Sequence, residues 1–170
     1  MSDSNIEKKL TAAYDKMLER VHDFLDSSES HTAPTLQQRI ALAKERAIEL
    51  QEITAEEADK VAAYIERDIH QAASYIQTTG EAFSSWFNFD LQLLEARMLD
   101  IFTAVADKTR IELAQLEQQA HRAEEYHTGE ITGIGQLTCV NCGNELHFKQ
   151  TARIPPCGAC HHTVFHRKIA

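Results

Sequence analysis

Cys139-Val140-Asn141-Cys142-Gly143 and Cys157-Gly158-Ala159-Cys160 hold every cysteine of the chain, as two Cys-x-x-Cys pairs separated by fourteen residues. Two such pairs with a short spacer form the zinc-ribbon pattern, although the spacer is slightly below the usual range. Zinc prefers four ligands in a tetrahedron, and thiolate sulfur is among its best partners. Two intervening residues let one tight turn aim both sulfurs at a single ion. Gly143, directly after the first pair, supplies a backbone that accepts positive φ where the turn needs it. The expectation is one structural Zn²⁺ held by Cys139, Cys142, Cys157 and Cys160.

Other uses of these thiols fare less well. Catalytic zinc needs an open position, which four thiolates do not leave. Loss of zinc on oxidation is a lesser alternative, since nothing nearby marks these cysteines as reactive. A disulfide framework would call for an export signal, and Met1-Ser2-Asp3-Ser4-Asn5 does not begin one. His161 and His162 follow Cys160 directly. With four cysteines already present, they read as turn and surface residues.

The flanking residues alternate as short strands: Gly135–Thr138 into the first pair, Leu146–Lys149 after it, and Thr163–His166 after the second. A three-stranded ribbon of this size buries too little apolar surface to fold unaided. Zinc binding worth on the order of 10 kcal/mol supplies the deficit.

Outward from the ribbon the composition changes. Residues 1–128 contain one glycine, Gly80, and one proline, Pro34, whereas residues 129–170 contain the other five glycines and both remaining prolines. The sequence therefore divides into a helical region, 1–128, and a C-terminal ribbon, 129–170. Ile6, Leu10, Ala13, Met17, Val21 and Phe24 form one helical stripe, ended by the polar break Ser27–Pro34. Leu36, Ile40, Ala43, Ala47 and Leu50 form a second. Thr54-Ala55-Glu56-Glu57 has the form of a capping box. Ala58, Val61, Ile65, Ile69, Ala72 and Ile76 follow it, with Gly80 as a stop. From Glu81 to about Tyr126 there is no glycine or proline, which predicts one long helix, bent near Asn88. One of its stripes runs through Phe87, Leu91, Leu94, Met98, Ile101 and Val105. The other runs through Phe102, Ala106, Thr109, Leu113, Leu116 and Ala120.

The expected fold is mainly α: an elongated helical hairpin or bundle of about four helices, the last one long, followed by the ribbon. Alanine-containing seams with few aromatics suit coiled-coil contact, and a long hairpin with little interior finds its missing burial in a second copy. A homodimer is therefore one expectation. Phe83, Trp86, Phe87 and Phe89 read as core at a bend, and Glu56, Glu57, Asp59, Glu66 and Asp68 as a solvated acidic face.

The 170 residues carry 17 basic and 26 acidic side chains, a formal net charge of −9. That balance argues against attraction to a phosphate backbone. Within the ribbon, Lys149, Arg153, Arg167 and Lys168 face Glu130 and Glu145, and four thiolates with one Zn²⁺ bring the module near neutrality. Nucleic acid is not an expected partner. No stretch approaches 18 apolar residues, so no membrane span is expected, and a cytoplasmic location is. No phosphate cradle, nucleophile elbow or HExxH helix occurs, and Glu124-Glu125 sits beside no nucleophile, so the chain does not read as an enzyme.

A long helix ending in Tyr126-His127-Thr128-Gly129-Glu130, then Gly133-Ile134-Gly135, then the two cysteine pairs, resembles the YbeL-like family of bacterial zinc-ribbon-containing proteins. Ala106-Asp107-Lys108-Thr109 belongs to the same likeness. The resemblance implies that Cys139, Cys142, Cys157 and Cys160 are zinc ligands and leaves function open. His161 departs from the glycine usual at that place, and histidine tolerates left-handed backbone better than most residues. The reading is a non-enzymatic protein acting by protein–protein contact with an unidentified partner. The rivals are a transcription- or translation-associated factor that inserts the acidic Glu52–Asp59 turn, and a redox-sensitive zinc-thiol protein.

Overall fold

The first apolar stripe becomes the inner face of α1 (Asp3–Asp26) in the computed structural model, which describes residues 3–26, 35–79, 96–115 and 125–167. Ala13, Met17 and Val21 are buried as the stripe predicts, and Tyr14 and Leu18 widen that face. Ile6 is left exposed. Helix α2 (Leu36–Glu49) opens on a capping box: the Gln38 N–H donates to Thr35 Oγ1 at 3.3 Å, and the Thr35 N–H donates to Gln38 Oε1 at 2.9 Å. It buries Leu36, Ile40, Ala43 and Ala47.

Leu50 does not join that face. The helix has already ended there, and Leu50 is 48% exposed. The end is a Schellman motif, in which the Glu52 N–H reaches the Ala47 carbonyl at 3.1 Å and the Gln51 N–H reaches Ile48 at 2.9 Å. Gln51 takes the left-handed position at φ 55°, where glycine is the usual occupant.

Helix α3 (Ala55–Thr79) starts at the expected second capping box, with the Thr54 N–H on Glu57 Oε2 at 2.8 Å and the Glu57 N–H on Thr54 Oγ1 at 3.2 Å. Ala58, Val61, Ile65, Ile69 and Ala72 are fully buried. Helix α4 (Ala96–Gln115) buries both of its predicted stripes: Met98, Ile101 and Val105 from one, and Phe102, Ala106 and Thr109 from the other. Helices α2 and α4 each pack on both α1 and α3, so the four helices share one apolar core. The polar break at 27–34, the stop at Gly80, the Phe83–Phe89 aromatics, Asn88, Leu91, Leu94, Leu116, Ala120 and Glu124 lie outside the described residues, as do the side chains of Ile76 and Leu113. Among the described residues no helix is long and apolar enough to cross a membrane.

One long helix reaching Tyr126 is not what the chain forms. Glu125–His127 is a strand, β1, lying antiparallel to β6 (Val164–Arg167) with Tyr126 opposite Phe165. The predicted strands are present as β3 (Gly135–Cys139), β4 (Glu145–Phe148) and β6. The sheet, however, has four strands, in the order β1-β6-β3-β4. A separate antiparallel pair joins β2 (Ile131–Thr132) to β5 (Ala152–Arg153). The expectation of three strands fails because β1 is three residues long and β2 and β5 two each. Runs that short carry no readable alternation.

The ribbon is not a separate bead. Tyr126, Leu137, Cys139, Phe148, Ile154, Cys157 and Phe165 form its own small core. Ile131 and Ile134, however, are buried in the helical core beside α1 and α3. Gly133 lies between them because nothing larger fits: a Cβ there would come within 2.7 Å of the Tyr14 hydroxyl oxygen and 3.2 Å of Phe102. Gly133→Ala should therefore overpack the junction and cost about 1–3 kcal/mol. Thermal denaturation followed by circular dichroism at 222 nm should show the loss as a lowered midpoint.

Candidate metal centre

The two cysteine turns are built alike. In the first, the Gly143 N–H donates to the Cys139 carbonyl at 3.0 Å and the Cys139 N–H donates to Asn144 at 2.9 Å. In the second, the His161 N–H donates to Cys157 at 2.8 Å and the Cys157 N–H donates to His162 at 2.9 Å. Each turn closes on a residue of positive φ, Gly143 at 74° and His161 at 60°. Glycine reaches that region without steric cost. Histidine occupies the equivalent position in the second turn, so the departure noted in the sequence changes the side chain and not the backbone path.

The four sulfur atoms all lie within 4.8 Å of one another. Cys139 Sγ is 3.6 Å from Cys160 Sγ, and Cys142 Sγ is 3.6 Å from Cys157 Sγ. Those spacings suit a metal better than a covalent bond between sulfurs, which requires about 2.05 Å. A tetrahedral zinc with Zn–S bonds of about 2.3 Å has ligand sulfurs about 3.8 Å apart. The donor set and spacing fit zinc in a closed site. Cys139 and Cys157 are buried, whereas Cys142 is exposed. His161 is exposed and His162 half-buried, and neither joins the cluster.

Backbone amides prepare some of these thiols for ligation. The Cys157 thiol is drawn down to about 6, chiefly by the Cys160 N–H and then by that of Ala159. Asn141, followed by the His162 N–H, lowers Cys160. Cys142 goes the other way: the Asn144 N–H favours its thiolate, but the three neighbouring sulfurs, Cys160 first, push it up to about 12. A metal cation reverses that repulsion by binding all four as thiolates.

A second set of polar residues fastens this module to the helices, and the sequence reading missed it. Asp68, expected on a solvated face, has no exposed surface. Its Oδ2 accepts the Tyr14 hydroxyl at 2.5 Å, the Gly133 N–H at 2.7 Å and the Thr132 hydroxyl at 3.4 Å. Its Oδ1 pairs with Arg67 at 3.4 Å and Arg167 at 3.5 Å. Arg167, also fully buried, donates to the Tyr126 hydroxyl at 3.0 Å, Thr132 Oγ1 at 2.8 Å and the Ile134 carbonyl at 3.2 Å. Arg67 bonds Glu130 and the Ile131 carbonyl, and stacks its guanidinium 3.8 Å from the centre of the Tyr126 ring.

Tyr126 closes the circle by donating to Gln71 Oε1 at 2.9 Å. Burial first, then the adjacent Asp68 carboxylate, holds the Tyr14 phenol well above its ordinary range, so it stays a donor. Thr151 adds a separate tie, its hydroxyl 2.6 Å from Asp15 of α1.

The other acids singled out in the sequence, where described, are exposed or half-buried, and several are paired. Glu52 takes both arms of Arg20 at 2.9 Å, and hydrogen bonding from that guanidinium holds its carboxyl below the usual range. Glu57 pairs with Lys9, Asp59 with Lys44 and Glu56 with Lys60. The turn between α2 and α3 is thus not a free acidic tip.

The family model described as "Zinc-ribbon containing domain" matches residues 23–169. Escherichia coli strain K12 has a relative named "Uncharacterized protein YbeL", 28% identical over 127 residues that cover 74% of this chain and 78% of that protein. The protein of the same name from strain O157:H7 matches with the same figures. No solved structure matches this chain.

Two outcomes follow from the turn geometry. His161→Gly removes a side chain from left-handed backbone and should leave zinc stoichiometry unchanged while raising stability by up to about 1 kcal/mol, read from chemical denaturation of the metal-loaded protein. Zinc affinity should fall on acidification, and more steeply below pH 6. There Cys157, whose depressed pKa keeps it ready as thiolate at neutral pH, is itself protonated and must also release its proton to solvent before it can ligate the metal. Calorimetric titration in buffers of different ionisation enthalpy counts the protons released and should find more of them below that pH.

Proposed function

Since this chain belongs to the family of zinc-ribbon containing proteins, we propose that it is a non-catalytic protein that works by contact with another protein. One structural Zn²⁺, held by Cys139, Cys142, Cys157 and Cys160, shapes the surface it presents. The closed sulfur cluster carries this reading. Four thiolates converging within 4.8 Å leave a bound zinc no position for water or substrate. When bound, the ion supplies a cross-link between two turns. The chain's own residues do the rest: the amides of the two turns favour the thiolates of Cys157 and Cys160, and the Asp68 cluster holds the ribbon on the helices.

Two further observations support a contact role over chemistry. The groove between α1 and α2 is lined by Arg20, Asp23, Phe24, Leu42, Glu45, Arg46 and Glu49, and holds no serine, threonine, cysteine, lysine or histidine. Val140, inside the first cysteine turn, is 47% exposed, and Leu42 of α2 is 44% exposed, so apolar surface is available on both parts of the molecule. The transcription- or translation-factor rival draws no support from the α2–α3 turn, whose acids are engaged by lysines and Arg20. The redox rival uses the same cluster and would begin at the exposed Cys142.

The test is affinity capture of the tagged full-length chain from its native cells, with and without nuclease, read by mass spectrometry. A discrete protein recovered in stoichiometric amount in both samples is the expected result. Substrate turnover by the zinc-loaded chain, or recovery only of nuclease-sensitive ribonucleoprotein, would overturn the proposal.

A further inference from the structure

We infer that the metal centre sets the strand register that docks the ribbon on the helices, so that zinc binding and the packing of the helical core are thermodynamically linked. The inference rests on the zinc reading of the four cysteines given above. Cys139 is the final residue of β3 and lies opposite Phe165 of β6. Cys160 is separated from β6 only by His161, His162 and Thr163. An ion that joins Cys139 to Cys160 therefore pins the end of one strand to the start of its neighbour. Their sulfurs already stand 3.6 Å apart.

The register that follows sets Leu137 opposite Arg167. Leu137, Phe165 and Arg167 are buried, while His166 between them is exposed. Side chains alternate along a strand, so a slip of one residue would carry Arg167 to the outer face that His166 now occupies. Asp68 would lose its pairing with Arg167, and Thr132, Tyr126 and the Ile134 carbonyl would lose a donor each. A carboxylate without solvent contact does not tolerate that loss in place. The ribbon must then lift off Tyr14 and Phe102, the two side chains that Gly133 covers, and uncover the helical core around Ile131 and Ile134. Zinc occupancy and closure of the core thus report on each other, although Asp68 is no ligand.

Linkage is reciprocal: whatever factor zinc adds to docking, docking adds to zinc affinity. The experiment uses the full chain. Zinc content per chain is measured first, by mass spectrometry of the metal. A chain that holds none and takes up none would refute the zinc reading itself, and this inference with it. For the zinc-loaded chain, competition with a chromogenic chelator compares the wild type with Asp68→Asn and Arg167→Met. The expected result is zinc affinity weakened by about 5- to 150-fold in both variants, the range common for coupled sites. Unchanged affinity in both would overturn the link.

The wild type gives a second answer should either variant fail to fold. Stripping zinc with EDTA should lower the helical melting midpoint and bring on binding of a hydrophobic dye. An unchanged helical melt without dye binding, in a chain shown to have lost its zinc, would show the ribbon to be an independent appendage and end the proposal.

Discussion

A carboxylate with no solvent contact has to find all its hydrogen bonds inside the protein, and Asp68 finds most of them on the ribbon. Among the described residues, Tyr14 is the one donor to its Oδ2 that comes from the helices; the Gly133 N–H and the Thr132 hydroxyl come from the other segment. Arg67 and Arg167 approach its second oxygen from α3 and β6 respectively. Replacing such a cluster with apolar residues need not lower stability, but removing one member of it does. The arrangement is better understood as fixing where the ribbon sits than as the main source of folding energy. Apolar burial supplies that, through Ile131, Ile134 and the helical stripes.

Much of this was legible from periodicity. Among the described residues, the stripes through Met17, Ile40, Ile65 and Val105 are buried or half-buried where their spacing placed them, apart from the exposed Ile6 and Leu50 at stripe ends. The capping box at Thr54 is formed as its residue types require. The cysteine pairs were readable because ligand chemistry restricts both residue type and spacing, and the structure brings all four together.

What escaped the sequence did so for identifiable reasons. Asp68 looked like one acid among several, yet it falls seven residues after Val61 and four before Ala72, on the apolar stripe of α3. A charge on a buried stripe was the available signal, and its answer lay in Thr132, Gly133 and Arg167, far along the chain. Tyr126 was extended into a helix because no glycine or proline interrupts the residues before it. Its pairing with Phe165 is a tertiary fact that local propensity does not encode. Ile131 and Ile134 were assigned to the ribbon by position, and they serve the helical core because Gly133 lets the backbone approach Tyr14.

The partners in the Asp68 cluster also bear on how the chain reaches its native state. Arg167 follows Asp68 by 99 positions, and Tyr14 precedes it by 54. Contacts this distant close late, because the entropy of a long loop is lost before the contact repays it. A helical hairpin of α2 and α3, joined by a tight turn, has no such delay. Throughout the interval Asp68 stands hydrated on an otherwise apolar stripe. That charge makes the stripe a poor surface for premature association until Arg167 of the correctly threaded β6 joins Arg67 beside it. The residue that locks the finished molecule therefore also acts as a gatekeeper against aggregation of the unfinished one.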